Sequence, residues 1–332
     1  MTQGAEGNQA NLPQMVTVFG GAGFIGRHVV RRLAAQGARV RVAMRDPEAG
    51  LFLKTMGDVG QIELMQANLR DDASVARAVA GADKVVISVG LLYESGRQTF
   101  ENIHVEGPAR VARAASAAGV RKLVHISALG AAEDSPAAYG RSKAQGEALV
   151  RENFAAATII RPSVVFGTED NFFNQLATLS SLSPVMPIFV RSLFDRDGAS
   201  FQPVFVADVA QAIVQILNSD DAVGETLEFG GPDVFSWREI VEMVLRFTGR
   251  TRLLVPMMLG IVRFMAFFLE MLPSPLLTRD QMRLMEVDNV VSEVGNGLEK
   301  LGLTPTAVEA VVPRYLARFR KSGALQIGVP VE

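Results

Sequence analysis

The feature that most constrains the fold of this chain is a glycine-rich loop between an apolar run and an amphipathic stretch. The run MVTVF leads into GGAGFIG, where Gly20, Gly23 and Gly26 recur at every third position. Gly20 permits a tight turn, Gly23 lets the backbone approach a pyrophosphate, and Gly26 lets a helix pack closely on the strand. The helix N-terminus adds N–H donors and positive potential. The loop therefore predicts a dinucleotide site. A turn that binds nothing is disfavoured, because glycines cost stability.

Downstream of this loop, short runs rich in β-branched residues alternate with amphipathic stretches. The strand-like runs are ARVRVAM, QIELMQANL, KVVISVG, KLVHIS and ATIIRP. This alternation predicts an α/β fold, in which helices cover both faces of a doubly wound parallel sheet of the Rossmann type. Right-handed crossovers bring the loops that follow the strands to one sheet edge, where such sheets bind ligands.

The chain divides into three parts by composition. Residues 1–14 are polar, resemble neither a secretion signal nor a transit peptide, and are expected to form a flexible tail. Residues 15–167 are expected to form the NAD(P)-binding Rossmann domain. Residues 168–332, where prolines interrupt the pattern, are expected to form a smaller C-terminal lobe on the substrate side. Strands expected near 204–206 and 226–230 interleave this lobe with the sheet.

The charge balance and residue usage exclude several classes of function. The 33 basic and 35 acidic residues leave a net charge of -2, so we expect no nucleic-acid partner. There is no cysteine, and the three histidines lack paired spacing, so we expect no disulfide, no thiolate nucleophile and no metal site. A cytoplasmic location fits this composition. Peripheral attachment to the cytoplasmic face of the inner membrane is the alternative.

One stretch of the C-terminal part is apolar around most of its helical circumference. It runs from Pro256 to Pro273 and is interrupted by charge only at Arg263 and Glu270. A helix over residues 257–272 would reach about 24 Å, too short for a hydrocarbon core of about 30 Å, so no membrane span is expected. A buried core helix is the leading interpretation. Contact with a partner protein and peripheral contact with a membrane are the alternatives.

The residue after the second strand-like run bears on the choice of cofactor. Arg45 stands where a carboxylate is expected if the adenosine ribose carries a free 2′-hydroxyl group. An arginine suits a 2′-phosphate instead, and Arg27 can join it in a charge-assisted clamp. NADP(H) is therefore the preferred cofactor. NAD(H) is the alternative, because Asp46 can turn towards a ribose hydroxyl.

The other candidate cofactor residues follow the first, third, fourth and sixth strand-like runs, at the same expected edge. Phe24 and Ile25 open the helix after the glycine loop. Asn68 and Leu69 follow the third run, where they are expected to flank the adenine. The loops after the fourth and sixth runs supply the remaining candidates, which are Ser88, Val89, Gly90, Pro162 and Val164.

Three polar residues form a candidate catalytic set. Tyr139 and Lys143, in YGRSK, are four residues apart and share one helix face, and Ser127 ends the preceding strand-like run. A neighbouring ammonium and a cationic nicotinamide ring favour a tyrosine phenolate, while the serine can hydrogen-bond a substrate oxygen. This set is typical of alcohol–carbonyl redox chemistry. Because Lys143 can also hold the nicotinamide ribose, Tyr139 and Lys143 are cofactor-binding candidates with or without turnover.

Several strings together resemble extended and atypical short-chain dehydrogenases/reductases over nearly the whole chain. They are GGAGFIG, YGRSK after KLVHISALG, RPSVVFG and FVADVAQAI. Within that family, the longer strings VFGGAGFIGRHVV, MGDVGQIELMQANLRD, RPSVVFGTEDNFFN and QPVFVADVAQAI are most similar to the accessory nucleotide-binding subunits of respiratory complex I and their bacterial relatives. This resemblance implies a bound NADPH, an accessory or assembly role, and complex I subunits as partners.

The wider family implies an alternative function. It contains oxidoreductases and epimerases, so the chain is alternatively an NADPH-dependent enzyme acting on a lipophilic small molecule of quinone or isoprenoid metabolism. Two residues depart from the family pattern: Phe19 stands where a threonine is common, and His104 where an asparagine is usual. That asparagine normally steadies the active-site helix, so His104 is interpreted as a packing residue. Its presence weakens the case for a sugar-nucleotide epimerase.

Overall fold

The computed structural model of the protein describes residues 14–192, 194–270, 277–293 and 295–320. Apart from Gln14, the tail expected over residues 1–14 lies outside the described residues. The strands are β1 Met15–Phe19, β2 Arg39–Met44, β3 Ile62–Gln66, β4 Lys84–Ile87, β5 Lys122–Ile126, β6 Thr158–Pro162, β7 Val165–Phe166, β8 Val185–Val190, β9 Ser200–Phe201, β10 Val204–Phe205, β11 Thr226–Phe229, β12 Phe235–Ser236 and β13 Leu253–Met258.

The helices alternate with these strands along the first half of the chain and predominate in the second half. The α-helices are α1 Phe24–Ala35, α2 Asp72–Val79, α3 Glu106–Ala117, α4 Ala138–Asn153, α5 Phe172–Leu182, α6 Val206–Asn218, α7 Trp237–Thr248, α8 Leu259–Leu269, α9 Arg279–Leu284, α10 Gly297–Lys300 and α11 Val308–Leu316. Tighter 3-10 helices cover Glu48–Met56 and Ala317–Phe319, and a π-helical turn covers Glu101–Val105.

Seven parallel strands form the central sheet. Their order across the sheet is β3-β2-β1-β4-β5-β6-β11. The order reverses between β1 and β4, and at such a switch point the neighbouring loops part and leave a crevice beyond the carboxyl ends of the strands. The expected doubly wound Rossmann sheet is confirmed. The glycine loop follows β1 and therefore lies at this crevice.

Both faces of the sheet are covered, because its inner strands are apolar on both sides. In β1, Val16 and Val18 point to one face, where they pack with side chains of α1 and α6. Phe19 points to the other face, where it packs with side chains of α2, α3 and α4. Helices on both faces leave the strand ends as the open part of the sheet. The candidate residues are therefore found in the loops at the carboxyl edge.

The C-terminal part of the chain both joins the sheet and builds a second core. The strand expected near 226–230 is β11, which pairs with β6 in the central sheet. The strand expected near 204–206 is β10, which pairs with β7 in a small separate sheet. In the second core, apolar side chains of α5, α7 and α11 pack together, and Trp237, the first residue of α7, is among them. Helix α7 begins with a capping box of Ser236 and Glu239.

The apolar stretch after Pro256 differs from the expected core helix. Residues up to Met258 belong to β13, and the helix begins only at Leu259. One stripe of α8 is buried and consists of Leu259, Val262 and Ala266. The exposed side, here called the α8 face, consists of Ile261 (57%), Phe264 (68%), Met265 (46%), Phe267 (47%) and Phe268 (57% exposed). The interpretation as a buried helix is wrong for most of its surface, because only this stripe is buried by other described residues.

The two charged residues of this stretch face the segment around α9. Arg263 Nη1 lies 3.0 Å from Glu286 Oε1, and Glu270 Oε2 lies 2.7 Å from Arg279 Nε. Met282 of α9 packs against the buried stripe of α8. These contacts join α8 and α9 into one helix pair. Within the ranges that the structure describes, no helix is long and apolar enough to cross a membrane.

Candidate functional site

The three motif glycines hold the loop between β1 and α1 in a shape that side chains would disturb. Gly20 has a φ of 77°, in the left-handed region that favours glycine. A Cβ on Gly26 would lie 2.2 Å from the Gly20 carbonyl oxygen, and a Cβ on Gly20 would lie 2.6 Å from that of Ser88. The Gly23 N–H donates to the Gly20 carbonyl oxygen at 2.9 Å. The loop is thus closed on itself and packed against the loop after β4.

The first turn of α1 is open to an anionic ligand. Gly23 is the N-cap, so there is no side-chain cap, and the first turn contains no acidic residue. The first backbone N–H groups of a helix have no partner within the helix, and together with the helix dipole they favour a phosphate. Phe24 and Ile25, expected at the cofactor, occupy this turn and are half-buried. The arrangement suits the pyrophosphate of a dinucleotide.

Arg27 is bound to the glycine loop itself. Its guanidinium donates to the carbonyl oxygens of Ala22 at 3.0 Å and Gly23 at 3.2 Å. The same group lies 5.0 Å from the centroid of the Phe52 ring. Phe52 belongs to the 3-10 helix after β2, and sequence reasoning missed it because an aromatic residue in an amphipathic run carries no motif. Arg27 thus connects the glycine loop to the 3-10 helix that follows β2.

The loops after β2 and β3 hold the candidates for the adenosine end. Arg45 directly follows β2 and is exposed. The carboxylate of Asp46 accepts the N–H of Glu48 at 3.1 Å, which uses one of its oxygens to start the following 3-10 helix. Asn68 and Leu69 follow β3 at the same sheet edge, with Leu69 buried and Asn68 half-buried. All four candidates therefore follow neighbouring strands.

The candidate catalytic set lies at the end of β5 and on α4, next to the loop that follows β4. Lys143 is 3% exposed and donates to the Ile126 carbonyl oxygen at 3.2 Å. Its Nζ lies 5.9 Å from the centroid of the Tyr139 ring. A Cβ on Gly90 would lie 3.5 Å from the same Nζ atom. Ser127 is buried, and its Oγ has no hydrogen-bond partner among the described residues. Ser88 and Val89 lead from β4 to this point and are half-buried.

Burial changes the acid–base behaviour of this set. It lowers the pKa of Lys143 to about 8, although the Glu147 carboxylate acts in the opposite direction. Glu147 is held by two hydrogen bonds from Arg161, at 2.6 and 2.9 Å. Burial raises the pKa of Tyr139 to about 12. The tyrosine is therefore protonated at neutral pH, and a phenolate there requires a further positive charge nearby, such as an oxidised nicotinamide ring.

His104 connects the loop after β4 to α4. Its Nε2 accepts the N–H of Leu91 at 2.9 Å, so its Nδ1 carries the proton and donates to the Ser142 hydroxyl at 2.9 Å. That hydroxyl donates to the Tyr139 carbonyl oxygen at 2.8 Å. Burial, followed by the charge of Lys143, lowers the pKa of His104 to about 2, which keeps the ring neutral. His104 is therefore a packing residue that also fixes α4 against the loop.

A second buried histidine lies on the strand that ends before Ser127. His125 is fully buried, and neither of its ring nitrogens has a hydrogen-bond partner in the described part of the chain. Burial, followed by the charge of Lys143, lowers the pKa of His125 to about 3. Sequence reasoning missed this residue, because a single histidine within an apolar strand carries no motif. Lys143 thus lies among neutral polar groups, with Glu147 as the nearby negative charge.

The loop after β6 is fixed by a residue far away in the chain. Pro162 ends β6 and is buried, and the N–H of Val164 donates to Asn289 Oδ1 at 3.0 Å. The Ser163 hydroxyl donates to the same oxygen at 2.7 Å. Pro162 and Val164 are expected to line the nicotinamide end, and the position of Val164 depends on Asn289. No motif marks Asn289, so the sequence did not predict it.

The groups at this edge suit a nicotinamide dinucleotide. The glycine loop and the start of α1 offer backbone N–H groups to a pyrophosphate. At the other end, the Lys143 ammonium has one carbonyl partner, and the buried Ser127 hydroxyl has none among the described residues. Because buried polar groups are normally hydrogen-bonded, ribose hydroxyls and a carbonyl oxygen are chemically matching partners. No group of His, Asp or Glu side chains in the described ranges is arranged to hold a metal ion.

Comparisons with known sequences agree with this geometry. A family model described as NAD(P)H-binding matches residues 20–179, which include the glycine loop and α4. The chain is 34% identical over 318 residues to the Mus musculus protein "NADH dehydrogenase (ubiquinone) 1 alpha subcomplex subunit 9, mitochondrial", covering 95% of this chain and 83% of that protein. It is 32% identical over 309 residues to the Neurospora crassa "NADH-ubiquinone oxidoreductase 40 kDa subunit, mitochondrial", covering 92% and 80%.

A comparison with solved structures gives the same fold. The structure of a Thermus thermophilus UDP-glucose 4-epimerase in complex with NAD matches with a TM-score of 0.68. The match covers 93% of this chain and 100% of the epimerase chain, at 21% sequence identity. At this identity the likeness concerns the fold alone. The match extends beyond the central sheet into the C-terminal part, because 93% of the chain takes part in it.

Proposed function

The chain belongs to the family of NAD(P)H-binding proteins that includes subunit 9 of the complex I alpha subcomplex, and from this premise we propose that it is an NADP(H)-binding accessory or assembly subunit of respiratory complex I. The observation that carries the proposal is identity of 34% over 95% of the chain to a protein named as subunit 9 of the NADH dehydrogenase (ubiquinone) 1 alpha subcomplex. The similarity therefore includes the C-terminal part, where α8 lies, as well as the part that binds the nucleotide.

In this proposal, residues 15–167 bind the nucleotide and residues 168–332 form the lobe on the substrate side. The glycine loop and the first turn of α1 hold the pyrophosphate. Lys143 donates to the hydroxyls of the nicotinamide ribose, since its ammonium has only the Ile126 carbonyl oxygen as a described partner. The loops at Ser88–Gly90 and Pro162–Val164 line the nicotinamide end.

The proposed cofactor form is NADP(H), with NAD(H) as the alternative. Arg45 is an exposed guanidinium at the position where the adenosine ribose meets the end of β2. The competing carboxylate of Asp46 already accepts the N–H of Glu48, which directs one of its oxygens towards its own chain. A 2′-phosphate would form charge-assisted hydrogen bonds with Arg45, whereas a free hydroxyl would gain less from it.

The proposed contact with complex I is the α8 face. Five large apolar side chains on one helix of eleven residues are between 46% and 68% exposed, and a contiguous apolar surface of this kind is typical of an interaction site. A partner subunit that covers this face removes that surface from water. The proposed location is therefore peripheral, on the cytoplasmic face of the inner membrane. Direct contact of the α8 face with lipid is the alternative.

Gentle detergent extraction of native membranes, followed by gel filtration, tests the proposal. We expect the protein to elute with complex I subunits and to retain NADP(H), measured by the fluorescence of the reduced nucleotide and by enzymatic assay of its 2′-phosphate. A protein with both Phe264→Ser and Phe268→Ser tests the contact, and it is expected to elute without the complex I subunits. Elution as a free monomer with no nucleotide would contradict the proposal. Elution with lipid alone would favour the membrane alternative.

A second candidate function is catalysis, which the complete set of Ser127, Tyr139 and Lys143 supports. The candidate reaction is reduction or epimerisation of a lipophilic small molecule, such as one of quinone or isoprenoid metabolism. NADPH supplies the hydride in such a reduction. The Ser127 hydroxyl would donate a hydrogen bond to the substrate carbonyl oxygen, and the Tyr139 hydroxyl would transfer its proton there. The raised pKa of Tyr139 suits a proton donor at neutral pH.

The variant Tyr139→Phe separates the two candidate functions. It keeps the ring beside Lys143 and removes only the hydroxyl group, so NADPH affinity is expected to stay within about threefold of the unmodified protein. If the protein is an enzyme, turnover is lost while the nucleotide stays bound. Unchanged complex I assembly and NADH oxidation in cells that carry this variant favour the accessory role. Loss of NADH oxidation, with complex I still assembled and the nucleotide still bound, favours catalysis.

A further inference from the structure

Helix α4, which carries Tyr139 and Lys143, begins without a cap of its own. Its N-cap residue is Ala137, which offers no side-chain oxygen, and its first turn contains no acidic residue. The carboxylate of Asp280 takes over this role. Its two oxygens accept the N–H groups of Ala138 at 2.7 Å and Tyr139 at 2.9 Å. The cap of α4 therefore comes from a residue 142 positions after Ala138.

This contact has the chemistry of a strong helix cap. The first N–H groups of a helix lack partners within the helix, and a negative charge at that end opposes the positive end of the helix dipole. Both oxygens of Asp280 are used, one for each N–H group, and its side chain is only 17% exposed. Arg283 of the same helix lies 3.7 Å from the carboxylate and supports its charge. Water therefore competes little for these hydrogen bonds.

Asp280 is held in place by the pair of helices α8 and α9. Helix α9 begins with a capping box of Thr278 and Gln281, which fixes the turn that carries Asp280. Met282 anchors α9 in the buried stripe of α8. The ion pair of Arg279 with Glu270 joins the two helices next to Asp280. The position of the α4 N-terminus is thus set by this helix pair as well as by the Rossmann sheet.

The crevice at the carboxyl ends of the central strands, with the glycine loop at one end and Lys143 at the other, is called the cleft below. We propose that Asp280 is a positioning residue for the nicotinamide end of this cleft. It fixes the first turn of α4 and, through it, the Tyr139 ring and the Lys143 ammonium one turn later. This inference rests on the proposed binding of NADP(H). It assigns Asp280 to one half of the nucleotide only. The adenosine half is bound by the glycine loop and β2, whereas the described hydrogen bonds and ion pair of the Asp280 carboxylate are with Ala138, Tyr139 and Arg283.

The test compares two ligands on the full-length purified protein. NADPH reports on the whole cleft, and 2′,5′-ADP reports on the adenosine half alone. In Asp280→Ala, we expect NADPH affinity to fall by about threefold to thirtyfold, the equivalent of one lost helix cap. The affinity for 2′,5′-ADP is expected to stay within about twofold. A purely structural role would weaken both ligands together or neither.

Two further variants make the test specific. Ser236→Ala removes the side-chain cap of α7, away from the cleft, and controls for the loss of a cap as such; it is expected to leave NADPH affinity unchanged. Asp280→Asn keeps an oxygen acceptor and is expected to regain part of the affinity. Ala137→Ser in the Asp280→Ala background supplies a local cap, and is expected to regain most of it.

The outcomes separate this inference from the proposed function. If the unmodified protein binds neither NADPH nor 2′,5′-ADP, the proposed function fails. If it binds both, and Asp280→Ala binds NADPH as tightly as Ser236→Ala does, the positioning role of Asp280 is overturned. It is also overturned if Asp280→Ala weakens 2′,5′-ADP as much as NADPH. Selective loss of NADPH affinity, with recovery in the Ala137→Ser background, supports it.

Discussion

The nucleotide cleft and the α8 face are opposite kinds of surface on one chain. In the cleft, polar groups are buried with few protein partners, as for the Ser127 hydroxyl and the Lys143 ammonium. On the α8 face, apolar side chains such as Phe264 and Phe268 are more than half exposed. Burying an unpaired polar group and exposing an apolar group both cost free energy. Each surface therefore indicates the chemistry of what binds it: a polar ligand in the cleft, an apolar surface on α8.

The two surfaces also differ in what determines their shape. The cleft depends on backbone geometry at glycines, where one added carbon collides with a carbonyl oxygen. The α8 face depends on the side chains of one helix, whose backbone makes ordinary helical hydrogen bonds. One added Cβ is therefore expected to abolish ligand binding in the cleft. Binding at the α8 face is expected to be lost only when several side chains are replaced. Asp280 links them, because it joins α9 to the start of α4.

The largest effect is expected from Gly26→Ala, which attacks the cleft alone. Its Cβ would lie 2.2 Å from the Gly20 carbonyl oxygen and 2.7 Å from the Gly21 Cα, both of them backbone atoms that cannot rotate away. Forced repacking of this kind costs about 3 kcal/mol, so NADPH affinity is expected to fall by about 100-fold or more. Fluorescence titration with NADPH measures it.

The matched control for this prediction is Gly260→Ala in α8. A Cβ on Gly260 meets nothing within 4 Å, and alanine favours the helix. This variant is expected to bind NADPH like the unmodified protein and to be equally or more stable. If Gly26→Ala and Gly260→Ala bound NADPH equally well, the glycine loop would not be the pyrophosphate site.

The second effect is expected from Phe264→Ser combined with Phe268→Ser, which attacks the α8 face alone. Covering two exposed phenylalanines contributes about 3 kcal/mol, so association with complex I or its membrane is expected to weaken by about 100-fold. Co-sedimentation with purified complex I in detergent measures this change. NADPH affinity is expected to remain within about twofold, since neither side chain belongs to the cleft.

The control for the α8 face uses apolar residues that are exposed elsewhere. Leu182 is 82% exposed and Val59 is fully exposed, and both lie outside α8. Replacing these two by serine removes a similar apolar area, and is expected to leave the association unchanged. A loss of association equal to that of the phenylalanine variant would mean that exposed apolar area in general, and not the α8 face, holds the protein to its partner.

The sequence predicted the cleft better than the lobe that completes it, and the reason is physical. A Cβ on Gly20 or Gly26 would collide with a backbone carbonyl oxygen of the loop or its neighbour, so the glycine spacing is informative without a structure. Tyr139 and Lys143 share a helix face because of helical periodicity alone. Asp280 and Asn289 act across more than one hundred positions, and no local pattern marks a carboxylate or amide that caps another segment.

The interpretation of the apolar stretch shows a different limit. Periodicity indicates which side chains share a face, but burial depends on whether another element covers that face. The stretch is apolar except at Arg263 and Glu270, which is why the sequence favours a core helix. In the structure, the first residues of the stretch, up to Met258, belong to β13. Helix α9 packs its apolar side chain Met282 against the buried stripe of α8. The helix that remains is apolar on the stripe that packs against the protein and also on the α8 face, which is exposed.

A smaller effect is expected from Arg45→Ala, which sharpens the chemistry of the cleft. A charge-assisted hydrogen bond contributes about 1.5 kcal/mol, so NADPH affinity is expected to fall by about tenfold while NADH affinity stays within about twofold. Titration with both nucleotides measures the ratio. Arg39→Ala, at the opposite end of β2, is the matched control and is expected to change neither affinity. An equal loss for both nucleotides would contradict a 2′-phosphate contact.

The last effect concerns acid stability and depends on the two buried histidines at the cleft. The pKa of His104 is about 2 and that of His125 about 3, so below pH 6.5 the unfolded chain binds protons that the folded chain does not. The stabilisation from their neutral state is complete above pH 6.5 and is lost as the pH falls towards 3. Between pH 6.5 and 5, we expect a loss of about 1.5 kcal/mol per histidine, measured by urea unfolding.

Two variants decide whether this pH dependence belongs to the cleft. His125→Gln cannot titrate and is expected to remove about half of the loss, whereas the Phe264→Ser, Phe268→Ser protein should keep all of it. Most carboxylates titrate below pH 5, so they contribute little in this window. Burial also lowers the pKa of His28, but this ring is partly exposed and pairs with Glu169, so His28→Gln is expected to change the slope less. A slope unchanged in His125→Gln would mean that His125 takes up its proton over the same pH range in the folded and the unfolded protein, so that burial does not keep this neighbour of Lys143 neutral.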